Sequence, residues 1–279
     1  MKESEFKYNI MKAEDLKLAI KEKYGEIANQ SSLIEKGQSS CCGTSGCCGE
    51  LGFTMIGDEY KNVKGYQPDA DLGLGCGLPT QFADLKVGDH VLDLGSGAGN
   101  DCFVARAIVG DTGKVTGVDF TDAMLEKARN NNAKLGFTNV EFIKGDIEDM
   151  PFNDNEFDVV VSNCVLNLVP DKNKAFSEIY RVIKPGGHFC VSDVVVQGTL
   201  SEALQKDVEM YAGCVSGAIP ISDYLDIIKQ RNFTNVEIHK KKAITIPDET
   251  LSAHAEPDDI EKFHRNEIGI FSITISGKK

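Results

Sequence analysis

Short hydrophobic runs alternate along the chain with longer stretches in which apolar residues recur at helical spacing, from about residue 88 to the end. The short runs predict strands because they are rich in Val, Ile and Phe. They cover residues 90–94, 114–119, 139–145, 157–164, 188–196, 233–240 and 269–276. The intervening stretches predict helices over residues 100–109, 122–135, 171–183, 201–213 and 222–231. The chain therefore predicts seven strands, most of them separated by helices.

This alternation predicts an α/β fold with a doubly wound, seven-stranded and mostly parallel sheet of the Rossmann-like type, because nearly continuous apolar strands are covered by helices on both faces. We expect residues 184–187, Lys-Pro-Gly-Gly, to form the connection that leads into the fifth strand. Residues 254–259 are expected to be an exposed acidic loop.

The N-terminal part follows a different pattern. Residues 13–30 place Leu16, Ile20 and Ile27 at helical spacing, which predicts an amphipathic helix. From residue 31 to about residue 71 the periodicity is lost among Ser, Gly and Cys, which predicts a loop or lid. We therefore divide the chain into a helix and Cys-rich lid over residues 1–75 and a main domain over residues 76–279.

Charge and cysteine content limit the classes of function. The 279 residues carry 43 Asp and Glu against 30 Lys and Arg, a net charge of −13, so neither nucleic acid nor an anionic membrane is expected as a partner. The start of the chain lacks the apolar segment of a signal peptide, and we expect a cytoplasmic protein. The nine cysteines are an odd number and several lie in predicted strands and helices, which disfavours a disulfide framework and leaves metal, metalloid, redox or core roles.

A glycine-rich turn follows the first predicted strand. It reads Asp93-Leu-Gly95-Ser96-Gly97-Ala-Gly99, and Asp119 ends the next strand 20 residues after Gly99. Glycines permit a tight turn and a close approach to a ligand, and an acidic residue at this distance is typical of one that binds a ribose diol. A nicotinamide site would need a third glycine at the position of Asn100, so a different nucleoside cofactor is favoured.

This pattern resembles the first motif of the class I S-adenosylmethionine-dependent methyltransferases, and the resemblance continues from about residue 88 to residue 195. It implies S-adenosylmethionine as the cofactor, with Asp146 and Ile147 at the adenine and Asn163 near the transferable methyl group. Asn163 lacks the Pro-Pro-Phe/Tyr continuation of the nitrogen methyltransferases, which disfavours an amine acceptor. The residues implied in cofactor binding are Asp93, Gly95, Ser96, Gly97, Gly99, Asp119, Phe120, Met124, Asp146, Ile147 and Asn163.

Three cysteines from remote parts of the chain can meet at the cofactor. Cys164 ends the fourth predicted strand, Cys214 follows a helix after the fifth, and Cys76 precedes the first. Ligands bind outside the carboxyl ends of strands in such sheets, and three soft thiolates suit a thiophilic element, either zinc or trivalent arsenic. Cys102 and Cys190 are expected in the core instead, because buried cysteine commonly behaves as a small hydrophobic residue.

The segments KEKYGEIA, LGLGCG, VLDLGSGAGND, SNCVLNL and YAGCVSG are similar, in this order, to segments of the arsenite S-adenosylmethionine methyltransferases. The resemblance covers most of the chain. It implies that Cys76, Cys164 and Cys214 bind trivalent arsenic, with arsenic-binding insertions around residues 197–232. A further thiol belongs to the element that contains Cys41, Cys42, Cys47 and Cys48, and its spacing to Cys76 favours Cys47 or Cys48.

The implied reaction transfers a methyl group to arsenite, methylated arsenite or their thiol adducts. It raises the oxidation state of arsenic by two, so an N-terminal cysteine pair is expected to supply two electrons and to be reduced again by thioredoxin or glutathione. Three alternatives stay open. They are a methyltransferase of a small organic acceptor such as a quinone precursor or sterol, a metalloid sensor or sequestering protein, and a structural zinc site in the four-cysteine element.

Overall fold

The structure is a computed structural model that describes residues 14–29, 60–198, 217–244, 252, 257–265 and 268–279. Helix α1 covers residues 14–29. The other helices are α2 (Pro79–Phe82), α3 (Asn100–Val109), α4 (Asp122–Leu135), α5 (Lys172–Val182), α6 (Ile221–Gln230) and α7 (Pro257–His264). The strands are β1 (His90–Leu94), β2 (Lys114–Asp119), β3 (Val140–Lys144), β4 (Phe157–Asn163), β5 (Ile183–Gln197), β6 (Thr234–Ala243) and β7 (Gly269–Lys278).

The seven strands form one sheet in the order β3-β2-β1-β4-β5-β7-β6. Strands β1 to β5 pair in parallel, whereas β7 pairs antiparallel with both β5 and β6. The prediction of a seven-stranded, mostly parallel sheet is therefore confirmed. Strand β1 lies between β2 and β4, which makes the crevice at the carboxyl ends of these strands the expected place for a ligand.

The core lies on both faces of the sheet because successive residues of a strand point to opposite sides. Leu92 and Leu94 of β1 pack with Phe176 of α5 and Ile228 of α6 on one face. Val91, which precedes Leu92, packs on the other face with residues of α3 and α4. Cys102 and Cys190 belong to this second layer and are fully buried, as expected for core thiols.

Helix α1 packs against the main domain through its apolar face. Ile20 is buried in a cluster that also contains Cys76 and Cys164, and Leu16 packs against the same cluster. The predicted amphipathic helix is thereby confirmed. The domain boundary at residue 75 stays a prediction, because the Cys-rich residues 31–59 lie outside the described part of the chain. The same holds for the predicted helix over residues 201–213.

Two sequence-based expectations about loops are wrong. Strand β5 begins at Ile183, which pairs with Phe157 before a bulge, so residues 184–187 lie within the strand instead of forming a separate connection. The chain end fastens this bulge, because the Lys279 amide donates to the Gly187 carbonyl at 3.0 Å. Of the predicted exposed acidic loop, residues 257–259 lie in α7 instead, although Pro257 and Asp258 are exposed, and residues 254–256 lie outside the described part of the chain. Across the described residues, no helix has both the length and the apolar composition needed to cross a membrane.

Candidate active site

A cleft of about 1190 Å³, including its open mouth, lies at the carboxyl ends of β1, β2, β3 and β4. Its walls come from the turns that follow these strands, and helix α1 contributes Lys17, Ile20 and Tyr24. Of the residues predicted to bind the cofactor, those that line it are Asp93, Gly95, Ser96, Gly97, Asp119, Phe120, Met124, Asp146, Ile147 and Asn163. Cys164 lines the same cleft.

The turn after β1 has a backbone that needs glycine. Gly95 and Gly97 have φ angles of 63° and 52°, in the left-handed region that other residues rarely adopt. A Cβ atom at Gly95 would lie 2.5 Å from the Val165 side chain, whereas one at Gly97 would meet nothing within 4 Å. The turn therefore packs closely on one side and leaves open space at Gly97. Gly99 lies behind the turn, where a Cβ atom would lie 2.8 Å from the Phe142 ring.

Asp119 ties the glycine turn to the end of β2. One carboxylate oxygen accepts a hydrogen bond from the Gly97 amide at 3.0 Å, and the other accepts from the Thr121 amide at 2.8 Å. Burial raises the pKa of this carboxyl, and the two amide donors oppose the rise. Asp119 is thus a buried carboxylate fixed at the edge of the cleft.

Asp93 and Asp101 are two further buried carboxylates beside the turn. Burial raises the pKa of Asp93 well above its usual range, and the negative field of Asp101 adds to the rise. The Cys102 thiol donates to Asp93 at 3.2 Å. Burial also raises the pKa of Asp101 to about 6, although hydrogen bonds from Tyr60 and Asn163 favour its ionised form. This end of the cleft is therefore rich in carboxylates.

Asp146 and Ile147 follow β3 at the opposite end of the cleft. Asp146 accepts a hydrogen bond from the ammonium group of Lys17 at 2.7 Å, and Lys17 also pairs with Glu148. Hydrogen bonds from Lys17 and the Glu148 amide hold the pKa of Asp146 below its usual value against the effect of partial burial. Helix α1 is therefore fastened across the predicted adenine end of the cleft.

The Ser96 hydroxyl is a buried polar group at the cleft. Its backbone is fixed, because the Ser96 amide donates to the Val118 carbonyl at 3.0 Å and its carbonyl accepts from the Gly99 amide at 2.8 Å. The hydroxyl oxygen is buried and has no hydrogen-bond partner within the described residues. Since buried polar groups are nearly always paired, this group suits a ligand atom that supplies the missing bond.

Cys164 and Cys76 lie in one buried cluster at the end of β4. Cys164 has a φ of 60°, and its amide donates to the Ser192 carbonyl at 2.8 Å. Burial and the nearby Asp193 carboxylate raise the pKa of Tyr224, and the charges of both sulfur atoms contribute in the same direction. Two thiols that are remote in sequence therefore share one buried cluster beside the cleft.

The other predicted sulfur ligands are Cys214, Cys47 and Cys48, and they lie outside the described residues, as do Cys41 and Cys42. Among the residues that the structure describes, no group of three His, Cys, Asp or Glu residues has the geometry to hold a metal ion. The structure thus brings two of the three predicted arsenic ligands together. The role of all these thiols stays a prediction.

Asn163 lines the cleft and holds the segment that carries Cys76. Its side-chain oxygen accepts hydrogen bonds from the amides of Cys76 at 3.1 Å and Gly77 at 3.3 Å. Its side-chain nitrogen donates to the Gly77 carbonyl at 2.9 Å and to Asp101 at 3.1 Å. The predicted contact of Asn163 with the cofactor stays a prediction, whereas its contact with the Cys76 segment is part of the fold.

Sequence reasoning missed three polar residues of the site, namely Lys17, Tyr60 and Asp101. Each acts through a partner that is remote in sequence: Lys17 lies 129 residues from Asp146, and Tyr60 lies 41 residues from Asp101. Only Asp101 could have been noticed in the sequence, because it is an acidic residue next to an apolar run in the first turn of α3.

A methyltransferase-domain family model matches residues 85–246. An arsenite methyltransferase of Halobacterium salinarum is 40% identical over 83% of this chain and 61% of its own length, and one of Aquipseudomonas alcaligenes is 36% identical over 82% and 65%. The chain thus spans less than two thirds of the length of these relatives. The crystal structure of an arsenic(III) S-adenosylmethionine methyltransferase from Chlamydomonas reinhardtii superposes with a TM-score of 0.63 at 37% identity, covering 74% of this chain and 67% of that one.

The residues that the family model matches include strands β1 to β6, the glycine turn and Cys164. The family model covers more than half of the chain. The chain therefore belongs to the methyltransferase-domain family and, within it, to the arsenite S-adenosylmethionine methyltransferases.

Proposed function

We propose that this protein transfers a methyl group from S-adenosylmethionine to trivalent arsenic held by the thiolates of Cys76, Cys164 and Cys214. The observation that carries the proposal is the presence of two buried thiols in one cluster at the carboxyl end of β4, one of which lines the cleft. Such a position is useful for a soft ligand and is not needed for packing alone. The relatives named as arsenite methyltransferases support it.

The cleft fits S-adenosylmethionine, which supplies an electrophilic methyl group on a positively charged sulfur. The buried carboxyl groups of Asp93, Asp101 and Asp119 line this part of the cleft, and a cationic ligand there would favour their ionised forms. The buried hydroxyl of Ser96 lacks a partner within the described residues, and Gly97 leaves open space beside it. Both features suit a polar group of the cofactor.

In this proposal, different residues along the cleft bind different parts of the cofactor. The glycine turn holds the methionine end, and Asp119 holds the ribose hydroxyls through a carboxylate that the turn fixes in place. Asp146 and Ile147 hold the adenine, while Phe120 and Met124 line the wall beside it. Helix α1 lies over this end and is fastened there by the ion pair of Lys17 with Asp146.

The thiolates hold the acceptor so that its lone pair faces the methyl group. Three sulfur ligands leave trivalent arsenic with a lone pair, which is itself the nucleophile, so this chemistry needs no strong general base. Each thiol proton leaves with the hydroxide or thiol that it displaces from arsenic. Placing the lone pair in line with the breaking carbon–sulfur bond is the main contribution of the protein, and such positioning can be worth about 7–11 kcal/mol.

The electron balance requires a reductant. The arsenic lone pair forms the new bond to carbon and the cofactor leaves as a neutral thioether, so the oxidation state of arsenic rises by two. Oxidation of two thiols to a disulfide returns two electrons, and we assign this step to Cys47 and Cys48 of the N-terminal segment. Thioredoxin or glutathione then reduces the disulfide. We place the reaction in the cytoplasm because reduced thiols persist in such a reducing compartment.

The proposal is tested by incubating the purified chain with arsenite, S-adenosylmethionine and a thiol reductant and identifying the arsenic species formed. We expect methylated arsenic with the wild type and none above background with Cys164→Ala. Cys190→Ala is the matched control, because Cys190 is equally buried but lies in the core away from the cleft, and this variant should retain the activity. Cofactor binding without any methylated arsenic would refute the proposal and would favour a small organic acceptor instead.

A further inference from the structure

Both the oxygen and the nitrogen of the Asn163 side-chain amide form hydrogen bonds. Its oxygen faces donors, namely the amides of Cys76 and Gly77 and the Cys76 thiol at 3.8 Å. Its nitrogen faces acceptors, namely the Gly77 carbonyl, the Asp101 carboxylate and the Tyr60 hydroxyl. The amide therefore links the Cys76 segment to the buried pair of Asp101 and Tyr60.

An amide group fits such a site in one orientation only. Rotated by half a turn, Asn163 would place its NH₂ group against two amide N–H groups and its oxygen against a carboxylate. The Asp101 carboxylate is the charged acceptor of this set, and charge-assisted hydrogen bonds are about twice as strong as neutral ones. Asp101 thus selects the orientation in which the Asn163 oxygen faces the Cys76 segment.

Tyr60 fixes Asp101 in turn. The Tyr60 hydroxyl lies 2.8 Å from both carboxylate oxygens of Asp101 and donates to them. Tyr60 is 3% exposed and Asp101 is 9% exposed, so little water competes for these hydrogen bonds. Neighbouring atoms also confine the Cys76 segment, because a Cβ atom at Gly75 would lie 2.9 Å from the Asn163 nitrogen and one at Gly77 would lie 2.5 Å from Ser192.

We propose that Asp101 is a positioning residue for the Cys76 thiol and acts through Asn163. The carboxylate orients the amide, the amide holds the segment that carries Cys76, and the thiol is thereby kept 1% exposed in the cluster that contains Cys164. The consequence of this placement for arsenic chemistry rests on the proposed function. The placement itself can be measured without arsenic.

The experiment is the alkylation of each cysteine in the purified full chain by iodoacetamide, followed by peptide mass spectrometry. We expect Asp101→Asn to raise the alkylation rate of Cys76 by about tenfold, because a charge-assisted hydrogen bond to Asn163 is lost. The rate at Cys190, in the core of β5, should stay unchanged and reports on general unfolding. An unchanged Cys76 rate in a folded Asp101→Asn variant would overturn the proposal.

A double-mutant cycle separates positioning from a general structural role. If Asp101 acts through Asn163, then adding Asp101→Asn to Asn163→Ala should raise the Cys76 rate no further than Asn163→Ala alone. Additive effects would overturn the proposal. If Cys190 reacts as fast as Cys76 in Asp101→Asn, the variant is unfolded and Asp101→Ser is measured in its place. For that variant too, we expect faster alkylation of Cys76 and no further increase when it is combined with Asn163→Ala.

Kinetics then connect this placement with the proposed reaction. With arsenite as acceptor, we expect Asp101→Asn to raise the KM for arsenite more than the KM for S-adenosylmethionine. A rise in the KM for the cofactor alone would contradict the role at Cys76. If the wild type methylates no arsenic at all, the proposed function fails, but the alkylation rates still decide whether Asp101 positions Cys76.

Discussion

Replacing Ser96 by alanine should stabilise the protein without cofactor and weaken the binding of S-adenosylmethionine. The backbone of Ser96 is held by hydrogen bonds to Val118 and Gly99 that alanine keeps. The hydroxyl oxygen is buried, and within the described residues it has no hydrogen-bond partner. The wild-type residue therefore carries a desolvation cost that a hydrogen bond from a ligand would offset.

The two effects have opposite signs and different sizes. Removing a buried polar group that lacks a partner should raise the free energy of unfolding by about 1 kcal/mol. Losing a hydrogen bond to a charged group of the cofactor should cost about 1.5–3 kcal/mol of binding free energy. That loss corresponds to a Kd about 10- to 150-fold higher.

Urea denaturation of the protein without cofactor and calorimetric titration with S-adenosylmethionine measure the two effects. Thr80→Val is the matched control, because the Thr80 hydroxyl is also buried without a partner among the described residues but belongs to α2, outside the set of cleft-lining residues. This variant should gain similar stability and keep the wild-type Kd. A Ser96→Ala variant that is less stable and binds the cofactor as tightly as the wild type would refute the reasoning.

Three further predictions concern the core, the pH dependence and helix α1. Phe189→Ala should lower the free energy of unfolding by about 3–5 kcal/mol in urea denaturation. The reason is that the fully buried Phe189 ring packs edge-on against two other phenylalanine rings, with centroid distances of 4.7 and 5.8 Å. A loss below about 1 kcal/mol would contradict this packing. Burial raises the pKa of Asp193 from its usual 3.8 to about 6, so the folded state keeps a proton that the unfolded chain has lost between these values. The free energy of unfolding should therefore fall as the pH rises through this window, and Asp193→Asn should flatten that slope in denaturation curves measured at several pH values; an unchanged slope would contradict the assignment. Lys17→Met removes partly buried ion pairs with Asp146 and Glu148, so cleavage by chymotrypsin within residues 14–29 should speed up by no more than about fivefold. A larger increase would show that these pairs contribute more than partly exposed ones usually do.

The parts of the fold that depend on local pattern could be predicted from the sequence. The strands β1, β2 and β4 are buried on both faces and appear as continuous apolar runs, and the glycine turn after β1 is a local motif. The start of β5 could not be predicted, because proline and glycine at residues 184–187 are typical of a turn. There the pairing of Ile183 with Phe157 and the contact of Lys279 with Gly187 override local preference.

The lining of the cleft could largely be predicted from the sequence, whereas its polar network could not. Most of the predicted cofactor residues lie at the ends of strands or in the turns that follow them, and the topology alone brings strand ends together at one edge. Lys17, Tyr60 and Asp101 depend on contacts between elements that are remote in sequence, and no spacing rule reports such contacts. Asn163 was found by its position at the end of β4, but its partners in the Cys76 segment follow only from the packing of that segment on the sheet.

The backbone of Cys164 is an independent argument for a functional thiol at the end of β4. Its φ of 60° lies in the left-handed region, which costs a residue with a Cβ atom about 1–2 kcal/mol and which glycine adopts without that cost. Packing does not require the sulfur there, since a small side chain at a strand end could be supplied by alanine. A residue that is unfavourable for the backbone at a position where the side chain lines the cleft is best explained by a ligand of the thiol. Cys76 is brought into the same cluster from 88 residues away in the sequence, and in the proposed function it would give the arsenic a second sulfur ligand.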